Sequence, residues 1–155
     1  EGFGPHNIAL MIETLTDNKN RTASNIRTIL QKSGGRLGET GSTAHYFFAC
    51  GVVHVAKEKI SDEKIFELSI NGGAKDCTSN PEYHEILTER EDFYKIKSEI
   101  EKDIGSFLYS GIEWRPQTYL DTSKEESDAI IKMLETLEED DDVQNTFVNC
   151  NIHTS

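Results

Sequence analysis

What this chain can fold into is constrained most by the order in which its strand-like and helix-like stretches alternate. Ile8-Ala9-Leu10-Met11-Ile12-Glu13-Thr14-Leu15 is apolar on both faces, the pattern of a strand central in a sheet. Asp17-Asn18-Lys19-Asn20 carries turn chemistry, and Asn20 or Thr22 is placed to cap the helix that follows. Over residues 22–33, Ala23, Ile26, Ile29, Leu30 and Ser33 fall on one helical stripe, which Gly34-Gly35 closes. Residues 43–49 and 52–56 read as two strands of a hairpin around Cys50-Gly51.

Ser61-Asp62-Glu63 opens a short helix that buries Ile65, Phe66 and Ser69-Ile70 and stops at Gly72-Gly73. Residues 75–78 and 83–87 read as short strands flanking Asn80-Pro81. Thr88-Glu89-Arg90-Glu91 fits a capping box, and Phe93, Ile96, Ile100 and Ile104 then keep a helical period up to Gly105. Residues 107–120 are extended, with Pro116 implying a bend or an edge position. Ser123-Lys124-Glu125-Glu126 is a second capping box, opening a helix with Ile130, Ile131, Leu134 and Leu137. Residues 143–152 close the chain's pattern as a strand.

With the middle block removed, the outer parts read β-α-β-β…α-β, the ferredoxin-like order, and the middle block nearly repeats it. The expected fold is α+β: two ferredoxin-like plaits, one inserted into the other. Residues 1–57 with 118–155 form a discontinuous plait, and 58–117 form the inserted one.

The charge is uneven. Residues 1–57 hold six Lys/Arg against four Asp/Glu, 58–117 hold eight against fourteen, and 118–155 hold two against ten. A nucleic acid would therefore be met by the first third. The longest apolar run, Ile8 to Ile12, falls far short of the roughly 20 residues of a membrane span. The opening residues have neither the basic nor the apolar segment of a signal peptide, and with no initiator Met the chain reads as a fragment or a processed form. Cys50, Cys77 and Cys150 are too scattered for a disulfide framework, which points to a reducing compartment.

The glycine-rich stretch Gly34 to Ser42 invites a nucleotide reading, but it lacks the lysine of a phosphate-binding loop. It also follows a helix and opens a strand, so the anion-binding geometry of a helix start is expected to be missing. Its glycines read as turns needing positive φ. His6, His45, His54, His84 and His153 are dispersed, with no pair at helical ligand spacing, so no metal and no cofactor is expected. Nucleophilic catalysis has no motif, and catalytic residues are expected to be none. The acidic run Glu138-Glu139-Asp140-Asp141-Asp142 reads as a solvated helix exit. Tyr46, Phe47 and Phe48 could stack bases on an open sheet, though as strand aromatics they read first as core. The basic face of the first helix is the candidate interface: Arg21, Asn25, Thr28 and Lys32 line it, Arg27 flanks it, and Lys19 and Arg36 bracket its ends. Lys19, Arg21, Arg27, Lys32 and Arg36 are the candidate phosphate contacts.

Six segments together resemble one family. They are Glu1-Gly2-Phe3-Gly4-Pro5, Leu15-Thr16-Asp17-Asn18-Lys19-Asn20-Arg21-Thr22, Gly34-Gly35-Arg36-Leu37-Gly38 with Gly41-Ser42, Gly51-Val52-Val53, Ile112-Glu113-Trp114-Arg115-Pro116-Gln117, and Leu137 through Asp142-Val143-Gln144-Asn145. In that order they look like the YebC family, which includes the mitochondrial translational activators of cytochrome oxidase subunit I. The resemblance implies a basic helical first domain, absent here, followed by two α+β domains, one inserted in the other. It supplies no catalytic residues, so no enzyme is expected. It implies a translation factor that binds the ribosome, ribosomal RNA or mRNA, or alternatively a DNA-binding transcriptional regulator. A metabolite-binding plait is the reading from another class. Departures from the bacterial pattern at Pro5-His6-Asn7 and Asp76-Cys77-Thr78 point to a mitochondrial member, with the bacterial cytoplasm as the alternative.

Overall fold

The computed structural model describes residues 1–152; His153 lies outside the described residues. Along the chain the elements are β1 (Gly2–Phe3), β2 (Ala9–Thr14), α1 (Lys19–Lys32), β3 (Arg36–Leu37), β4 (Phe47–Ala56), α2 (Asp62–Asn71), β5 (Asp76–Ser79), β6 (Tyr83–Glu89), α3 (Phe93–Ile104), β7 (Tyr109–Pro116), α4 (Lys124–Glu138) and β8 (Val143–Val148). They form two four-stranded sheets, β3-β1-β2-β8 and β5-β6-β4-β7, each carrying two helices. Both are α+β plaits. The compact units divide the chain at 48/49 and 113/114, inside β4 and β7, where the sequence pattern predicts divisions at 57/58 and 117/118. Among the described residues no helix is long and apolar enough to cross a membrane.

The plait of residues 49–113 follows the ferredoxin-like order β-α-β-β-α-β. Its central strand corrects the hairpin expected around Cys50-Gly51. β4 runs straight through both residues, and Cys50 and Gly51 pair with Glu89 and Thr88 of β6. Gly51 is there for room: a Cβ would lie 2.3 Å from Phe93 Cδ1 and 2.3 Å from Thr88 Oγ1. The glycine is a close approach inside a strand, not a turn. Val53, Val55, Ile86 and Cys77 face Ile65 of α2 and Phe93, Ile96 and Ile100 of α3 to make the core. The predicted capping box at Thr88 does not form. Thr88 belongs to β6 and donates its hydroxyl to Glu89 O, while α3 begins at Phe93 with Asp92 as an N-cap making no side-chain bond. Strands β5 and β6 lie where the alternation predicts them, and Asn80 Oδ1 accepts from the N–H groups of Glu82 and Tyr83 in the turn between.

The other plait is assembled from separate stretches. Its order is β-β-α-β…α-β, because the short N-terminal strand β1 pairs with both β2 (Gly2↔Leu10) and β3 (Gly2↔Leu37). Strands of two residues are below the length at which alternation is readable, and the sequence pattern predicts neither β1 nor β3. Ile8 and Leu10 meet Ile26 and Leu30 of α1 and Ile130, Met133 and Leu137 of α4, with Cys150, in one core. Helix α4 carries the predicted capping box in full: Ser123 Oγ accepts from Glu126 N at 3.1 Å, and Glu126 Oε1 from Ser123 N at 2.8 Å. The closing strand is shorter than expected, ending at Val148, and β7 ends at Pro116 as a proline in a strand should.

Candidate nucleic-acid interface

Helix α1 begins where Asn18, rather than Asn20 or Thr22, caps it, its Oδ1 accepting from Arg21 N at 3.0 Å. Thr22, Ile26 and Leu30 are buried, which turns Lys19, Arg21, Arg27 and Lys32 outward. The structure does not bring the five predicted cations together as one grip.

Arg21 is engaged. Its guanidinium lies 3.1 Å from Asp17 Oδ1 and 3.1 Å from Asp142 Oδ2. Asp142 also accepts from the hydroxyls of Thr22 (2.7 Å) and Thr16 (3.2 Å), so its carboxylate ties α1 to the end of α4. The Thr22 hydroxyl and then the Arg21 guanidinium hold this carboxyl below its usual range, and the bond to Asp142 in turn raises Arg21. The acidic run after α4 thus contains a clasp as well as a solvated helix exit. The signal for it, an arginine and a threonine at adjacent helical positions, is silent about a partner so distant in sequence.

Arg36 is also occupied. In β3 it pairs opposite Phe3, and its Cζ sits 4.3 Å from the centre of that ring, a cation–π stack. Lys19, Arg27 and Lys32 make no ion pair among the described residues and are exposed. Lys19 lies at the start of α1 beside Thr14 and Thr16. Lys32, about 20 Å away along the axis at 1.5 Å per residue, lies at the other end. There the outer edges of α1 and α4 leave a cleft of about 480 Å³, in which Lys32 is joined by Lys132 of α4 with Thr28, Ser33 and Thr136. Lys132, which the sequence pattern does not single out, is the one cation that the fold adds. Two ammonium groups over a floor of Ile29 and Met133 can hold phosphate oxygens, while the hydroxyls of Thr28, Ser33 and Thr136 are spent on the carbonyls of Ser24, Ile29 and Lys132. Farther along the same helix pair, Glu139 and Asp140 beside Asn25 make the next hollow acidic, which gives the cleft a direction.

The glycine-rich loop needs a correction. Gly34 and Gly41 have the positive φ expected (87° and 86°), but the anion-binding geometry is present. The N–H groups of Gly41, Thr43 and Ala44 donate to the Glu1 carboxylate at 2.6, 3.0 and 2.7 Å, aided by the Thr43 hydroxyl at 3.2 Å. Burial pushes the Glu1 carboxyl up, and these three backbone donors outweigh it and hold it below its ordinary value. The site is a nest of backbone N–H groups at the entry to a single 3-10 turn, Ala44–Tyr46, not the start of a helix. The nest is filled by the chain's own carboxylate.

Phe47 is buried, as the core reading of the aromatic run requires, while Tyr46 is 42% exposed. Among the described residues no three His, Cys, Asp or Glu side chains gather at a metal-binding distance.

A family model described as the TACO1/YebC second and third domain matches residues 1–150. The chain belongs to the TACO1/YebC family. It is 50% identical over 151 residues to a probable transcriptional regulatory protein of Pelagibacter ubique, an alignment covering 97% of this chain and 63% of the relative. Similar matches, both to proteins of that same description, reach 43% in Zymomonas mobilis (98% and 61% covered) and 45% in Rickettsia typhi (96% and 60%). A crystal structure of a conserved hypothetical protein from Aquifex aeolicus superposes with a TM-score of 0.88 at 35% identity, covering all of this chain and 64% of that one. The chain thus spans about three fifths of the length of these curated relatives.

Proposed function

We propose that this chain is the two-plait part of a YebC-type regulator of gene expression, non-enzymatic, that holds DNA by its phosphates. The relatives' names favour transcription, and their bacterial sources favour a bacterial-type compartment over the mitochondrion. The observation that carries the contact surface is the pairing of Lys32 with Lys132 across the cleft between α1 and α4, both free of carboxylate partners among the described residues. Arg27 and Lys19 are exposed elsewhere on α1, each about 140° around the helix from Lys32 at about 100° per residue. Arg21 and Arg36 act as struts, since Asp142 and the Phe3 ring already engage them.

A duplex-binding titration across salt concentrations tests this. Lys32→Glu with Lys132→Glu should weaken binding and lower the salt slope by about 0.9 for each phosphate no longer neutralised. Arg21→Gln should cost stability more than affinity. Unchanged affinity and slope in the double reversal would remove the cleft from the interface. A second reading rests on the family description, which joins TACO1 to YebC. In it the same face meets ribosomal RNA or mRNA, as in a mitochondrial translational activator. Co-sedimentation with ribosomes, run beside the duplex titration on the same variants, separates the two.

A further inference from the structure

We propose that the plait built from residues 1–48 and 114 onward carries a pocket for a single unpaired nucleobase, separate from the basic cleft. The cavity measures about 410 Å³ and is lined by Asn7, His45, Tyr46, Gln117, Leu120 and Asn149, among others. That volume lies within the range of small-molecule sites, roughly 300–1,000 Å³.

Asn149 makes this a built site. It is 95% buried, since only 5% of its surface is exposed. Its Oδ1 accepts from Ala9 N at 2.8 Å, its own N–H donates to Ala9 O at 3.3 Å, and its carbonyl accepts from Leu120 N at 2.9 Å. Because Oδ1 is committed to an N–H donor, the orientation of the carboxamide is fixed and Nδ2 is the end left over. That NH₂ makes no hydrogen bond among the described residues, yet its residue lines the cavity. Nδ2 is not among the fully buried atoms left unpartnered, so it stays open to the cavity and can donate to an acceptor supplied from outside.

The rest of the lining fits one chemistry. Gln117 spends its Nε2 on Phe47 O at 3.2 Å and its backbone N–H on Tyr46 O at 2.8 Å, which leaves Oε1 as an acceptor. Asn7 adds a carboxamide free in both senses. The rings of His45 and Tyr46 lie 4.0 Å apart, exposed and available for stacking. No carboxylate and no ammonium lines the pocket, so it selects a neutral ligand. A planar heterocycle that presents a carbonyl to Asn149 and a donor to Gln117 while stacking on an aromatic ring describes an unpaired nucleobase. At the lip, His6 and Asn7 both hold left-handed backbone (φ 62° and 60°), a conformation uncommon for non-glycine residues.

The test is saturation-transfer NMR and thermal shift on the whole chain with guanosine, adenosine, cytidine and uridine, and with mixed single-stranded hexanucleotides. Binding is expected for at least one nucleoside, and it should persist at high salt, unlike binding at the lysine cleft. Asn149→Asp keeps the acceptor for Ala9 N and removes the donor, and should weaken binding at least about tenfold. Asn7→Gly relieves the left-handed strain, so its melting temperature should hold or rise while affinity falls. This variant keeps the proposal falsifiable if Asn149→Asp unfolds. Hexanucleotides binding more tightly than nucleosides place the base in a strand; the reverse order makes a free nucleoside the ligand. No binding by any nucleoside or hexanucleotide, or equal binding by wild type and Asn7→Gly, would overturn the pocket.

Discussion

The two plaits reach the same architecture by opposite means. In the plait of residues 49–113 every strand is four residues or longer, the elements follow one another along the chain, and the tightest contact is a glycine at the centre of the sheet. In the other plait two of the four strands have two residues each, and long-range groups hold the sheet closed: the Glu1 carboxylate on Gly41, Thr43 and Ala44, and Asp142 on Arg21 and Thr22. The difference teaches where each unit should be brittle. The contiguous plait should fail when its core is crowded. The assembled one should yield at its edge and depend on its clasps.

The largest effect is expected at Gly51. Gly51→Ala drives a Cβ into Phe93 and Thr88, both buried, and should cost about 3 kcal/mol, the upper end of overpacking. Urea denaturation measures it, and amide exchange should show the destabilisation spread over β4, β6 and α3. Gly35→Ala is the informative partner. Its Cβ would lie 2.0 Å from Phe3 O, a tighter approach than at Gly51. However, β3 is the edge strand of its sheet and can move aside, so the expected cost is smaller, about 1–2 kcal/mol, with exchange quickening only in β1 and β3. A larger cost at Gly35 than at Gly51 would reverse the comparison.

Next in size is the capping box of α4. Ser123→Ala should cost about 1 kcal/mol, read as a shift of the urea midpoint with unchanged slope. The corresponding change at Thr88 tests the box that does not form. Thr88→Val should leave the start of α3 as it is, because Thr88 faces the sheet interior beside Gly51.

These contrasts also explain what can be read from the sequence. Strands β5 and β6, the stripe of α1 and the Ser123 box rest on neighbours within a few residues, and local pattern reports them faithfully. Gly51 reads as punctuation because a glycine required by the ring of Phe93, from a helix packed on the sheet, looks the same as one required by a turn. Strands β1 and β3 exist only because each pairs with the other, and β1 with β2, so no window of their own sequence contains the reason. The candidate site divides likewise. The outward cations of α1 follow from its period, but which of them are free does not. Arg21 is met by a carboxylate 121 residues away, and Lys32 gains Lys132 from a helix that follows the inserted plait in sequence.

The smallest expected effect is electrostatic, and its sign follows from the clasp. Asp142 is held below its ordinary titration range by the Thr22 hydroxyl first and the Arg21 guanidinium next. Its contribution to stability is therefore complete above the unfolded carboxyl value, about 3.9, and is lost as pH falls through the lower folded value. Asp142→Asn should lower the melting temperature at pH 7 by a small amount, because the pair is partly open to water and salt screens it. The gap between wild type and variant should narrow toward pH 3, as protonation removes from the wild type what the substitution has already removed. High salt at pH 7 should shrink it as well. A gap that stays constant from pH 7 to pH 3 would mean that the charge of Asp142 contributes nothing to stability, neither through the Thr22 and Thr16 hydroxyls nor through Arg21. Arg21 would then keep only its exposed pair with Asp17, a partner that phosphate could displace.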